Sequence, residues 1–147
     1  AGARHVVAYD EVDLVEEIMK ITDGKGARVA FDPVGGRLLP ALSQVLPWKG
    51  TIYSYGSLDG ETTTIPVMEQ IIGHMLTIKG WAIVDTLWDP ERLATAIDFL
   101  TTAVEQGKLT PVIDQVFAFD DVVAAHEHLE RSEQFGKIVI EVKQRGG

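Results

Sequence analysis

The 147-residue chain has no cysteine. That excludes disulfides and every cysteine-ligated zinc site, and it agrees with a reducing, cytoplasmic setting. No G-x-G-x-x-G occurs, so the usual glycine-rich phosphate loop is absent from these residues. Basic residues are scarce: 13 Lys and Arg stand against 22 Asp and Glu, for a formal net charge of -9. Without a run of Lys and Arg the chain has no footprint for a phosphate backbone, so no nucleic-acid partner is expected. No apolar run approaches the ~20 residues of a membrane span, and the first residues resemble neither a signal nor a transit peptide. No membrane partner is expected. An initiator Met is also lacking, and the chain starts almost inside an expected strand, which together suggest a piece of a longer protein.

What is present is a globular composition. Hydrophobic residues make up 46%, and the mean hydropathy is +0.08. The length predicts one domain with a real core.

Short apolar runs alternate with helical periods. His5 to Tyr9 reads as a strand. Asp10 is placed to cap a helix from Glu11 to Thr22, whose Leu14, Val15, Ile18 and Met19 share a face. Arg28 to Asp32 and Thr51 to Tyr55 read as strands, with a helix over 38–46 between them. Pro66 opens a helix to Met75, and Leu76 to Val84 reads as a strand. Asp89-Pro90 starts a long helix whose buried face is expected to carry Leu93, Ala96, Ile97, Leu100 and Val104. Val112 to Phe119 is a strand, Asp120 caps a helix to about Arg131, and Lys137 to Val142 is a last strand. Strands alternating with helices predict an α/β fold with a mainly parallel sheet.

Two strand endings carry the functional signal. Val29-Ala30-Phe31-Asp32 stops at an acidic residue and turns through Pro33-Val34-Gly35-Gly36. Thr51-Ile52-Tyr53-Ser54 runs into Tyr55-Gly56-Ser57-Leu58. Strand carboxyl ends hold ligands in such sheets, and glycine lets a backbone come close to them. The plainer alternatives are a helix-starting turn with Asp32 as its cap, and an ordinary strand exit. Trp81 and Ile83 line a pocket or an interface edge under the functional reading and pack in a core under the other. His126 and His128 are two apart and diverge on a helix, so no metal site is expected. No Ser-His-Asp set or acid/base carboxylate pair can be argued, so no catalytic residue is assigned.

Five segments, in this order, resemble the C-terminal half of the medium-chain dehydrogenase/reductase superfamily. They are Gly2-Ala3-Arg4-His5-Val6, Asp32-Pro33-Val34-Gly35-Gly36, Leu76-Thr77-Ile78-Lys79-Gly80, Ala124-Ala125-His126-Glu127-His128-Leu129-Glu130 and Gly136-Lys137-Ile138-Val139-Ile140. The nearest branch resembles the quinone oxidoreductases, often called zinc-type alcohol dehydrogenases. The resemblance implies a partial Rossmann-type, doubly wound sheet lacking its first two strands, with all 147 residues in the C-terminal part of the nucleotide-binding domain. The barrel-like catalytic domain and any zinc ligands would lie upstream. It implies NADP or NAD as cofactor of the parent, bound weakly or not at all by this chain. Asp32, Pro33, Val34, Gly35, Tyr55, Gly56, Ser57, Leu58, Trp81 and Ile83 would be the cofactor-side residues. It also implies a small-molecule substrate and a homodimer through the Leu76–Val84 strand edge. The reading from another class is a non-enzymatic α/β module that binds a nucleotide or a partner.

Overall fold

The computed structural model describes residues 2–142. Their contacts divide the chain into two compact units, Ala1–Asp89 and Pro90–Gly147.

The first unit holds a three-stranded parallel sheet, β1 (Val29–Asp32), β2 (Thr51–Ser54) and β3 (Thr77–Gly80), in that spatial order. The register is level: Val29 pairs with Thr51 and Thr51 with Thr77, so Asp32, Ser54 and Gly80 end the sheet in one row. Strand periodicity sends Ala30, Ile52 and Ile78 to one face and Phe31, Tyr53 and Lys79 to the other. Ile52 is fully buried with Val45 and Leu46, and Val15, Ile18, Ala30, Leu42 and Ile71 pack around them. Removing each such aliphatic side chain from water stabilises by about 1.5–3 kcal/mol.

Helix α1 (Leu14–Ile21) and helix α2 (Leu38–Val45) contact each other beside this core. Pro40 is tolerated at the third position of α2, where no intrahelical N–H bond is lost. The α1 start is a correction to the sequence reading. Asp13, not Asp10, is the cap, its Oδ1 accepting the Glu16 N–H at 2.9 Å. The residues after Pro66 form a six-residue π-helix, Val67–Ile72, in place of a longer α-helix.

His5 to Tyr9 is not a strand. A short extended segment needs a hydrogen-bonded neighbour to count as one, and β1 pairs only with β2 among the described residues. The Leu76–Val84 strand shrinks to Thr77–Gly80, because Val84 already begins helix α3 (Val84–Leu87).

The second unit contains helix α4 (Pro90–Glu105), strands β4 (Ile113–Ala118) and β5 (Lys137–Glu141), and helix α5 (Val122–Glu130). β4 and β5 form a separate parallel pair, and α5, with Ala125 buried, packs on both. A short 3₁₀ turn, Phe119–Asp121, leads into α5, and Asp120 makes no side-chain cap. The apolar face expected on α4 is only partly covered: Leu93 and Ala96 are half-buried, while Ile97, Leu100 and Val104 are exposed.

Candidate functional site

The loops that leave β1 and β2 are bonded to each other. Tyr55 N–H donates to the Asp32 carbonyl at 2.9 Å, Leu58 N–H to Pro33 at 3.3 Å, and Asp59 N–H to Val34 at 3.0 Å. Asp32 is fully buried at the end of β1. Its Oδ1 accepts the N–H groups of Val34 at 3.0 Å and Gly35 at 2.9 Å, which fixes the turn. Its Oδ2 is buried with no partner. An unpaired buried oxygen costs about 1–3 kcal/mol and marks a place where stability alone does not explain the residue.

Glycine is required at two points here. Gly35 has φ +68°, a left-handed conformation that side chains resist, and its vacant Cβ position lies 3.4 Å from the Gly56 carbonyl. A Cβ on Gly56 would collide with the Pro33 carbonyl. The close approach that Gly56 permits is therefore that of the neighbouring loop. The Leu58 amide is spent on Pro33, while those of Gly56 and Ser57 take no part in these loop bonds.

On the sheet face away from α1 and α2 lies a cleft of about 390 Å³ walled by Phe31, Tyr53, Tyr55 and Trp81. Phe31 stacks on Tyr53 with ring centres 5.4 Å apart, and Tyr55 meets Trp81 edge-on at 6.4 Å. Lys79 Nζ stands 5.9 Å from the Tyr53 ring centre. Asp32, Pro33, Val34, Gly35, Tyr55, Gly56, Ser57 and Leu58 thus come together at one sheet end, and Trp81 joins them through Tyr55. Ile83 is not among the cleft walls; it stands at the start of α3.

Sequence reasoning missed three members. Phe31 and Tyr53 were readable from alternation, since each lies two residues from a site or strand-end position on the same face. Asp59 had no signal, because its role depends on a contact 22 residues away: its Oδ2 accepts the Arg37 N–H at 3.0 Å.

The second unit holds one notable polar cluster. Asp114 Oδ2 lies 2.8 Å from His128 Nε2, and Arg131 Nη2 lies 3.2 Å from His128 Nδ1. A guanidinium only donates, so Nδ1 is the acceptor and Nε2 carries the proton given to Asp114. The Phe135 N–H also reaches Asp114 Oδ1 at 3.1 Å. The His128 hydrogen bond, then the Phe135 amide, holds the Asp114 carboxyl below its ordinary value.

A parallel sheet with a glycine-bearing crevice outside its carboxyl ends defines a Rossmann-type α/β domain portion. The family follows from comparison: residues 1–140 match the zinc-binding dehydrogenase model, and the chain belongs to that family. It is 29% identical to a quinone oxidoreductase-like protein 2 homolog of Nematostella vectensis, over 97% of this chain and 40% of the relative. It is 28% identical to a 2-haloacrylate reductase of a Burkholderia species, over 95% and 42%. The Escherichia coli quinone oxidoreductase, solved in complex with NADPH, superposes with a TM-score of 0.81 at 27% identity, over 94% of this chain and 44% of that one. The chain spans about two fifths of the length of the curated relatives it matches.

The family's metal finds no donor set here. The sequence has no cysteine, and no three His, Asp or Glu side chains converge among the described residues. No helix among the described residues is long and apolar enough to cross a membrane.

Proposed function

We propose that this chain is the cofactor-side portion of an NAD(P)H-dependent oxidoreductase of the quinone oxidoreductase type. The parent would act in the cytoplasm on a quinone, enone, aldehyde or alcohol. The observation that carries the reading is the two-loop crevice: two strand ends zipped by backbone bonds, floored by Asp32 and bordered by aromatic rings. The nicotinamide dinucleotide, when bound, supplies or accepts the hydride. The chain's own part is to position it. The turn from Asp32 to Gly35 presents backbone to the nicotinamide end, the Gly56 and Ser57 amides serve as donors, and Tyr55 and Trp81 limit water at the ring. NADP and NAD are both accommodated by this reading.

The chain alone is expected to bind the cofactor weakly and to lack dehydrogenase activity, because the glycine-rich anchor for the pyrophosphate is not among its residues. Titration of the chain with NADPH and NADH, followed by backbone amide shifts, tests this. Weak shifts confined to 32–36 and 55–58 are expected. Micromolar affinity would overturn the missing anchor, and no shift in either segment would overturn the site. A non-enzymatic partner-binding module is the second reading, favoured by the exposure of every residue of β3.

A further inference from the structure

The rings on the open face of the first unit's sheet stand in two rows. Phe31, Tyr53 and Lys79 are partners across β1, β2 and β3. Tyr55 and Trp81 follow two residues later, each just past its strand, and so point the same way. Their backbones continue the ladder, Tyr55 N–H to Asp32 and Trp81 N–H to Ser54. Phe31 and Tyr53 lie within 14° of parallel, whereas Tyr55 meets Trp81 at 72°. The cleft between the rows is concave, and its 390 Å³ falls in the range of small-ligand pockets. No acidic side chain walls it. Phe31, Tyr55 and Trp81 are all exposed, so their rings are not spent on the core.

Lys79 stands at the β3 side of this cleft, beside Tyr53 in one row and two residues before Trp81 in the other. Its Nζ has the Tyr53 ring, 5.9 Å away, and among the described residues no carboxylate pairs with it. The chain carries a net charge of -9, so its surface at large repels anions. An unpaired cation beside four aromatic rings is a local exception. We propose that the cleft binds a flat aromatic or conjugated molecule carrying one anionic group, with the ring laid among Phe31, Tyr53, Tyr55 and Trp81 and the anion paired with Lys79. Ring contacts supply the affinity. Lys79 selects among ring ligands, and its exposure keeps that selection modest. The binding depends on the cleft alone. That such a molecule is the hydride partner, a quinone or enone with an acidic substituent, rests on the function proposed above.

The test titrates the full chain with naphthoate and with naphthamide, its uncharged isostere, while NMR follows the Trp81 indole N–H and the Lys79 amide. The wild type should bind naphthoate saturably and about 3-fold tighter than naphthamide. Lys79→Gln should bind both alike, at the wild-type affinity for naphthamide, and Lys79→Glu should reverse the order. Trp81→Ala should weaken both by about 5-fold and leave their ratio unchanged; Trp81→Leu serves if the alanine variant does not fold. Equal affinities in the wild type, a preference that survives Lys79→Gln, or no saturable binding of either compound overturns the proposal. The titration with NADPH and NADH reports on the cofactor separately. Silence there at 32–36 and 55–58, with the naphthoate preference intact, would remove the hydride-transfer role and leave the ring site standing. Cofactor shifts without naphthoate binding would do the reverse.

Discussion

At the scale of single residues, this molecule uses its carboxylates as internal bonding groups. Asp13 caps α1, Asp32 ties its own turn and Asp59 caps α2. Asp114 does the same in the second unit, and its titration makes a prediction. Its carboxyl is held below the ordinary 3.8, chiefly by the His128 hydrogen bond. A lowered folded value means that the contribution is complete above the unfolded value and disappears as pH falls through the folded one. Asp114→Asn should therefore be less stable than wild type at pH 6–7. The difference should shrink below about pH 4, where the wild-type group protonates and comes to resemble the amide. Urea unfolding across that range checks it; a constant gap at every pH would show that charge is not the cause.

At the scale of elements, the legible parts were those set by local chemistry. The Gly-bounded strands β1 and β2, and the period of α1 and α4, follow from residues within a turn or two. The misreadings are of partnership and of element bounds. His5 to Tyr9 has strand composition but no hydrogen-bonded neighbour. The Asp10 cap lost to Asp13, which sits next to the first helical residue. The crevice was half legible: its glycines and Asp32 were visible, whereas Asp59 acts from a distant loop that shows no period. Helix α4 shows the same limit. Its apolar spacing was correct, yet Ile97 and Leu100 stay about half exposed among the described residues. Exposed positions tolerate polar substitution within about 0.5 kcal/mol. Leu100→Gln should then leave the unfolding midpoint of this chain nearly unchanged. A loss of 2 kcal/mol or more, the range of about 2–5 kcal/mol for emptying a core site, would show that the helix face is covered in solution.

At the scale of the whole molecule, the first unit presents two unfinished edges. Among the described residues β1 has no partner on its outer side, and Phe31 on its face is 69% exposed. β3 ends the sheet on the other side, with Ile78 and Trp81 exposed beside it. Edges of this kind, with few charges, invite pairing with another chain. We propose that the chain forms a homodimer through the edge of β3. Light scattering at ~100 μM, far above the micromolar affinities common for specific interfaces, should report twice the chain mass. A clean monomer there would exclude both edges as self-association sites. Thr77 and Trp81 turn their N–H groups toward β2, so those of Ile78 and Gly80 face the open edge. Gly80→Pro, at a position where an added side chain meets nothing within 4 Å, should abolish a dimer built on β3 and spare one built on β1.

The level register of the three strands sets a ruler. Asp32, Ser54 and Gly80 stand side by side, and neighbouring strands lie about 4.8 Å apart. From the first strand's end to the third's is thus roughly 10 Å, about the width of a flat two-ring molecule and well short of an extended dinucleotide. One residue inserted into β2 would do more than lengthen it. It would turn Tyr53 inward and Ile52 outward, trading the aromatic wall for the core, so this rim tolerates changes of side chain far better than changes of length.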